Sequence, residues 1–295
     1  MVSVPEAFAD GLVGRCGDAG RRWLEALPAL VEQLCDRWRV ELLEERTLYG
    51  DNNLVFPVQR ANEGCMLKVC WPEHDITHEA KALLAWNGHG AVRLLDASPD
   101  DGALLLERLD AGRSLVDVEL FCAAEVAGNL IRRLTIPAPA GFRPLSEVAT
   151  QIAETVGPRQ NALGRPLPPR WVDLAAQLAH DLAADAGADL VHADLHYANI
   201  LAGTRQSWLA IDPRAVAGDP EHSVPELMWT RLDDAEDPTA IRTLLATLVR
   251  AGDLDPDKAK TWTIVRAVDY WLWGLGAGFT EDPARCHRLL DTLTQ

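Results

Sequence analysis

The chain has 295 residues, 48% of them hydrophobic, and 44 acidic residues against 28 basic ones give it a formal charge of −16. Nucleic-acid binding requires an excess of Lys and Arg, so we expect no binding to DNA, RNA or anionic membranes, and a cationic ligand suits the chain better. The longest stretches without Asp, Glu, Lys or Arg have eleven residues, fewer than the roughly 20 that a membrane span needs. The start of the chain lacks the basic and apolar layout of a secretory leader, so we expect a cytoplasmic protein.

Residues 1–38 are predicted to form an N-terminal helical cap. Apolar side chains recur there at steps of three and four from Trp23 to Trp38, which is the pattern of one buried helix face. Pro28 is expected to start a second helix after a break, because proline cannot continue a helix without losing a hydrogen bond.

Residues 39–109 change to short apolar or alternating runs separated by turn residues, a pattern typical of an antiparallel sheet built from hairpins. A helix interrupts these runs, with Asp75 as its expected N-cap and an end near Trp86. The predicted strands are 39–47, 53–60, 65–70, 91–97 and 103–109. This order predicts an α+β lobe with the helix on one face of the sheet.

Residues 110–114 are predicted to be a linker, and helices dominate residues 115–295. The predicted helices span 116–134, 144–156, 169–186, 238–251 and 256–275. Short strands within 190–202 and 207–212 are expected to form a hairpin embedded in this helical part. The fold class is therefore α+β with two lobes, a small antiparallel-sheet lobe with one helix and a larger, mainly helical lobe.

The densest polar cluster in an apolar setting lies between Val191 and Leu201, and Asp212 follows thirteen residues after Asn199. A hairpin can bring Asp194, Asn199 and Asp212 together at its open end as three oxygen ligands. Phosphoryl transfer uses such a set, because one carboxylate accepts the proton of the attacking hydroxyl while an Asn carbonyl and a second carboxylate hold Mg²⁺. Taken singly, each of these residues could equally form a turn or end a strand.

Two interpretations of another class stay open. His192, Asp194 and His196 could present two imidazoles and a carboxylate to zinc in a metal-dependent hydrolase, although the remaining histidines are scattered along the sequence. A nucleotide-binding relative without catalytic activity is the other interpretation. It is disfavoured because the candidate base and both candidate metal ligands are present.

The segments His192–Asn199 and Ile211–Pro213 match the catalytic loop His-x-Asp-Leu-His-x-x-Asn and the Ile-Asp-Pro turn of the aminoglycoside phosphotransferases. The chain resembles this family over nearly its whole length, and it is most similar to the streptomycin 6-kinase and hydroxyurea kinase branch. Further segments similar to that branch are Leu27–Leu30, Leu104–Leu109, Trp208–Pro213 and Gly218–Pro220. The resemblance implies a protein-kinase-like fold with a nucleotide-binding lobe at 39–109, a hinge at 110–114 and the catalytic loop and acceptor site within 115–295.

The resemblance also implies ATP as the phosphate donor and Mg²⁺ as the metal. It assigns Asp194 as the catalytic base and Asn199 and Asp212 as Mg²⁺ ligands. The residues that it assigns to the nucleotide are Lys68 at the α and β phosphates, Glu79 as the partner of Lys68, the backbone of Glu107 to Leu109 at the adenine edge, and Asn53 in the covering hairpin Tyr49–Asn53.

The phosphate acceptor is expected to be cationic, because the segment 226–237 holds five acids and one Arg. Acids and Trp faces would hold the guanidinium groups of streptomycin through charge-assisted hydrogen bonds and cation–π contacts. The candidate acceptor contacts are Glu226, Asp233, Asp234, Asp269 and Trp273. We therefore expect ATP-dependent phosphorylation of streptomycin at its 6-hydroxyl, an antibiotic-resistance activity.

Kinases of other small molecules remain alternatives, because one fold supports many acceptors. Hydroxyurea is small and neutral and would need none of the acceptor contacts named above. Choline, homoserine and sugar amines are further alternatives, and the oligomeric state stays open.

Overall fold

A computed structural model of the protein describes residues 2–73 and 76–295, which divide into two compact units, unit 1 (Met1–Leu109) and unit 2 (Asp110–Gln295). In unit 1 the described residues form one antiparallel sheet and two α-helices. The strands are β1 (Glu41–Leu42), β2 (Leu48–Tyr49), β3 (Asn53–Arg60), β4 (Glu63–Cys70), β5 (Leu94–Ser98) and β6 (Ala103–Glu107), and the helices are α1 (Glu6–Trp38) and α2 (Thr77–Trp86). The strand order is β1-β3-β4-β6-β5, and β2 pairs with β3.

The core of unit 1 lies between α1 and the sheet. Leu27, Val31 and Leu34 recur at steps of four and three along α1, so they form one apolar stripe, and all three are fully buried. This stripe packs against sheet residues such as Phe56 and Leu67. Because β4 lies inside the sheet, most of its later residues are buried as well.

Unit 1 differs from the sequence prediction in three places. The predicted break at Pro28 is wrong, because α1 continues through Pro28 and its non-helical residue is Gly17, with φ 57°. Burial of the apolar stripe offsets the cost of about 3 kcal/mol for an interior proline. The predicted strand 39–47 is replaced by the shorter β1 and β2, and the expected N-cap Asp75 lies outside the described residues.

Unit 2 is mainly helical. Its helices are α3 (Leu120–Leu134), α4 (Leu145–Ala162), α5 (Pro169–Ala184), α6 (Val224–Trp229), α7 (Pro238–Gly252), α8 (Pro256–Gly276) and α9 (Glu281–Leu293). Its strands are β7 (Asp110–Ser114), β8 (Asp189–Val191), β9 (Ile200–Ala202), β10 (Trp208–Ala210) and β11 (Val216–Gly218). They form a three-stranded sheet, β10-β9-β7, and a two-stranded sheet, β11-β8.

The predicted hairpin of unit 2 is confirmed as β9 and β10, and the five predicted helices correspond to α3, α4, α5, α7 and α8. Residues 110–114 differ from the prediction, since they form strand β7 on the edge of β9 and are not an irregular linker. Tryptophans supply much of the core. Trp171, Trp262 and Trp271 are buried where α5, α8 and α9 pack together, so most of the unusual Trp content serves packing.

Within the part of the chain that the structure describes, none of the helices combines the length and the apolar character needed to cross a membrane.

Candidate active site

Unit 1 contributes a buried ion pair that the sequence predicted. Lys68 lies on β4, with Val55 and Leu104 as its neighbours on the adjacent strands, and Glu79 lies in the first turn of α2. The Lys68 Nζ donates to both carboxylate oxygens of Glu79 at 2.8 Å, and the two side chains are 4% and 3% exposed. A buried lysine is costly unless a partner satisfies its charge, so Glu79 fixes the ammonium at one place in the sheet.

The other predicted nucleotide contacts of unit 1 differ in which backbone or side-chain groups could reach a nucleotide. The backbone N–H of Glu107 donates to the Arg93 carbonyl at 2.9 Å, and the Glu107 carboxylate accepts from the Arg93 N–H. A contact with the adenine edge would therefore come from the Glu107 carbonyl or from the backbone of Leu109. Asn53 is buried, and its side chain packs below Gly50 in the covering hairpin.

In unit 2, hydrogen bonds join the predicted catalytic loop to the turn that follows β10. The loop runs between β8 and β9. His192 Nε2 donates to the Ile211 carbonyl at 3.0 Å, the Arg214 N–H donates to the His192 carbonyl at 3.0 Å, and the Ile211 N–H donates to the Asn199 carbonyl at 2.9 Å. These three bonds hold Asp194 and Asp212 on two adjoining segments of backbone.

The backbone is unusual at Asp212 and at the residue just before Asp194. Ala193 and Asp212 have φ values of 57° and 58°, in the left-handed region that non-glycine residues rarely occupy. Such conformations cost free energy and are concentrated at functional sites. The Asp194 carbonyl accepts from Asn199 Nδ2 at 2.9 Å, so Asn199 directs its amide nitrogen into the loop and keeps its Oδ1 for another contact.

The electrostatics of the loop suit a base. Burial raises the pKa of the Asp194 carboxyl, while Arg214, whose Nε lies 3.3 Å from the carboxylate, and His196 lower it, and Asp212 raises it further. Burial also lowers the pKa of His192 to about 4, and it lowers the pKa of His196. Asp194 is therefore a carboxylate of raised basicity whose side chain is still 22% exposed.

The donors at this place fit Mg²⁺ better than zinc. The Asp212 carboxylate and the Asn199 Oδ1 are hard oxygen ligands of the kind that Mg²⁺ prefers. Among the described residues there is no group of three His, Cys, Asp or Glu side chains that could hold a metal ion, and His192 commits Nε2 to a backbone carbonyl. The zinc hydrolase interpretation of His192, Asp194 and His196 therefore lacks a ligand set.

The four acids predicted to bind the acceptor are each paired with an arginine. Glu226 on α6 lies 3.3 Å from Arg266, which also donates to Asp269 at 2.9 Å. The remaining pairs are Asp269 with Arg159, Asp233 with Arg285 and Arg288, and Asp234 with Arg231. A cationic acceptor would have to share these carboxylates with the arginines of the chain.

Glu226 differs from the other three acids, because it interacts electrostatically with Asp194. Burial raises the pKa of Glu226 to about 7, Arg266 lowers it and Asp194 raises it. Asp233 and Asp234 lie elsewhere in unit 2, where Asp233 pairs with Arg285 of α9. The structure therefore brings Glu226 next to the catalytic loop, with Arg266 between it and Asp269.

Trp273 is 50% exposed on α8 and ends a row of aromatic rings. Its ring stacks on Tyr270 at 5.3 Å, Tyr270 stacks on Trp229 at 4.7 Å, and Phe279 meets Trp273 edge-on. An exposed indole with a rigid support can hold a cation, so the prediction for Trp273 stays open.

Sequence reasoning missed Arg214 and Arg266. Arg214 directly follows the Ile-Asp-Pro motif, so its position in the sequence could have marked it as a neighbour of the candidate site. Arg266 lies one helical turn before Asp269 on α8, and only the fold brings it to Glu226 and within range of the Asp194 charge.

Comparison with known proteins identifies a matching family and relatives of similar sequence. A family model described as aminoglycoside/hydroxyurea antibiotic resistance kinase matches residues 37–278. The chain is 38% identical to the streptomycin 6-kinase of Streptomyces glaucescens, covering 96% of this chain and 95% of that relative. It is 36% identical to the hydroxyurea phosphotransferase of Kitasatospora aureofaciens, covering 97% of this chain and 84% of that relative.

The fold is also similar to solved structures. The crystal structure of aminoglycoside phosphotransferase APH(4)-Ia matches with a TM-score of 0.61 at 17% identity, over 90% of this chain and 98% of that one. The choline kinase of Streptococcus pneumoniae matches with a TM-score of 0.55 at 14% identity, over 91% and 99%. At such identities the likeness concerns the fold alone, and it confirms the kinase-like α+β fold that the sequence predicted.

Proposed function

The chain belongs to the aminoglycoside/hydroxyurea antibiotic resistance kinase family, and from that membership we propose that it transfers the γ-phosphate of ATP to a hydroxyl of a streptomycin-type aminoglycoside. The protein is thus a kinase, as the catalytic-loop motif predicted. The observation that carries the proposal is the hydrogen-bonded frame that holds Asp194 and Asp212 together, with Asn199 Oδ1 directed away from its loop.

In the proposed reaction Asp194 accepts the proton of the acceptor hydroxyl as that oxygen attacks the γ-phosphorus, and the bond from the γ-phosphorus to the bridging oxygen breaks so that ADP leaves. Burial favours this role, because a carboxylate with a raised pKa is a stronger base. Asn199 and Asp212 would hold Mg²⁺, which neutralises phosphate charge when it is bound. Lys68, fixed by Glu79, would bind the α and β phosphates of ATP.

Streptomycin is favoured as the acceptor by the greater identity to the Streptomyces glaucescens enzyme, and its 6-hydroxyl is the expected position. Hydroxyurea is the second candidate, and one observation favours it. All four predicted acceptor acids already carry arginine partners, and a small neutral acceptor would need none of them.

The Asp194→Asn variant tests the base. We expect kcat to fall by roughly 10² to 10⁴, because the amide cannot accept the proton while ATP binding stays intact. ADP release with streptomycin, other aminoglycosides and hydroxyurea as acceptors measures the loss and identifies the acceptor. Asp181→Asn, on the exposed face of α5, is the matched control. Full activity of Asp194→Asn would remove Asp194 from the base role.

The Lys68→Met variant tests the nucleotide site. We expect ATP use to be impaired far more than acceptor use, since methionine keeps an unbranched apolar side chain but lacks the ammonium group. The exposed Lys81→Met on the same helix as Glu79 is the control. Unchanged ATP kinetics would remove Lys68 from the site.

A further inference from the structure

The N-terminal segment contacts alternate residues within the covering hairpin Tyr49–Asn53 and just before it. Thr47 Oγ1, on a 5% exposed side chain, donates to the Ser3 carbonyl at 2.8 Å. The Tyr49 ring meets the Phe8 ring at 6.1 Å with an interplanar angle of 63°. The Arg15 guanidinium donates to the Asp51 carbonyl. Residues 47, 49 and 51 thus all contact the segment from Ser3 to Arg15.

The part of α1 that makes these contacts is itself held firmly. Phe8 and Leu12 are 3% and 0% exposed, and a Cβ at Gly20 would lie 3.1 Å from the Leu12 carbonyl oxygen. The two parts of α1 on either side of Gly17 therefore pack closely. Trp23 extends the contact, with Phe8 at 6.3 Å and Trp71 at 5.8 Å.

The other side of the hairpin is fixed by the same cluster. The Trp71 N–H donates to the Asn52 carbonyl at 2.8 Å, and the Gly50 N–H donates to the Asn53 carbonyl at 3.1 Å. The carbonyls of Asp51 and Asn52 are thus both bound, one by a side chain of α1 and one by a residue that packs on α1.

This arrangement determines the direction of an N–H group. The C=O and the following N–H of a trans peptide point in opposite directions. Because the Asp51 carbonyl points towards Arg15, the Asn52 N–H points away from α1. Gly50 and Asp51 are exposed, so without these contacts the segment would lose more conformational entropy when it becomes ordered on a ligand.

We propose that the Ser3–Arg15 segment belongs to the nucleotide site, with Arg15 and Phe8 as positioning residues that hold the Tyr49–Asn53 hairpin so that the Asn52 N–H donates to a phosphate of ATP. The inference rests on the proposed kinase function and deepens it. Arg15 acts through the hairpin backbone and not by contact with the nucleotide. The proposed arrangement also explains how a hairpin with a single glycine can present a backbone donor, because contacts with α1 hold the hairpin in one conformation.

The test compares full-length Arg15→Ala with Arg15→Lys. Arg15 is exposed, so we expect both variants to fold with an unchanged Tm. Loss of the bond to the Asp51 carbonyl should raise the KM for ATP by about ten-fold, with little change in kcat or in the KM for the acceptor. Lysine should restore part of the loss. Arg21→Ala is the matched control, because Arg21 lies on the same helix and pairs only with the nearby Asp18 among the contacts described.

The dissociation constant of ATP, measured by calorimetry without any acceptor, separates this inference from the proposed function. A wild-type protein that binds ATP but phosphorylates no acceptor would contradict the proposed function, and the ATP affinity of Arg15→Ala would still decide on Arg15. The inference is overturned if the KM and the dissociation constant for ATP are the same in Arg15→Ala and in wild type. It is also overturned if kcat falls while both stay constant.

Discussion

Arg214 places its guanidinium Nε 3.3 Å from the Asp194 carboxylate, although its own side chain is 64% exposed. An exposed ion pair adds at most about 1 kcal/mol to stability, so we propose that this pair serves instead to orient Asp194, the proposed base. We expect Arg214→Ala to lower kcat roughly ten-fold with a nearly unchanged Tm, because a misplaced base costs rate rather than stability. The exposed Arg242→Ala on α7 is the control. Equal kcat in both variants would contradict the orienting role.

The environment of Glu226 predicts how the stability of the protein depends on pH. Its charged neighbours are Arg266, Asp194 and Arg214, and Tyr270 packs near it. Its pKa in the folded protein is about 7, above its ordinary value of 4.5. A carboxyl with a raised pKa stabilises the fold fully below its unfolded pKa, and that contribution is lost as the pH rises through the folded pKa.

Glu226→Gln removes this titration and keeps the shape of the side chain. We therefore expect the Tm of the variant, relative to wild type, to be higher at about pH 8.5 than at about pH 5.5. Glu154→Gln, an exposed residue of α4, should show no such trend. A Tm difference for Glu226→Gln that is the same at both pH values would show that the carboxyl does not titrate in this range.

Among the elements, α3 and α7 approach closely at Gly128. A Cβ there would lie 2.7 Å from the Ala251 Cβ and 2.8 Å from the Leu248 carbonyl oxygen, which is backbone and cannot swing away. We expect Gly128→Ala to lower the free energy of unfolding by about 1–3 kcal/mol. Gly14→Ala on α1 is the control, because a Cβ there would meet nothing within 4 Å, and it should instead gain about 0.5–1 kcal/mol from helix propensity. Thermal unfolding of both variants checks the pair, and stabilisation by both would contradict the packing at Gly128.

The elements that the sequence predicted well carry their signal locally. Short apolar runs between turn residues mark β3 and β4, and Asp255 before Pro256 marks the start of α8, where the Asp255 carboxylate accepts from two backbone N–H groups. Elements fixed by distant partners were harder to predict. β11 is three residues long and forms only because it pairs with β8, and Gly17, not Pro28, breaks α1 because packing against the sheet holds the rest of the helix.

The same distinction applies to the site. Asp194, Asn199 and Asp212 could be proposed from spacing, because two short motifs at the two ends of one hairpin hold all three. The arginine partners of the acceptor acids were harder to find, since Arg159 reaches Asp269 through the packing of α4 against α8 and Arg266 reaches Glu226 through the packing of α6 against α8. Charge counted along the sequence therefore overstated how acidic the segment 226–237 would be.

At the scale of the whole molecule, the charge of −16 is a property of the surface more than of the site. Arginines neutralise the acids around the catalytic loop, as at Glu226 and Asp269, so the unbalanced acids are found elsewhere. A net charge this large makes the folded state repel itself, because folding brings the excess acids closer together.

Salt should therefore stabilise the protein as a whole. We expect the Tm at about pH 8 to rise when NaCl is increased from roughly 20 mM to roughly 300 mM, because the screening length falls from about 20 Å to about 6 Å. Near the sequence pI of about 4.9 the net charge vanishes, so the same change in salt should have little effect and solubility should be lowest. The surface ion pairs act in the opposite sense, since salt weakens them, but each contributes at most about 1 kcal/mol. A Tm at about pH 8 that falls with added NaCl would mean that the ion pairs outweigh the repulsion among the excess acids.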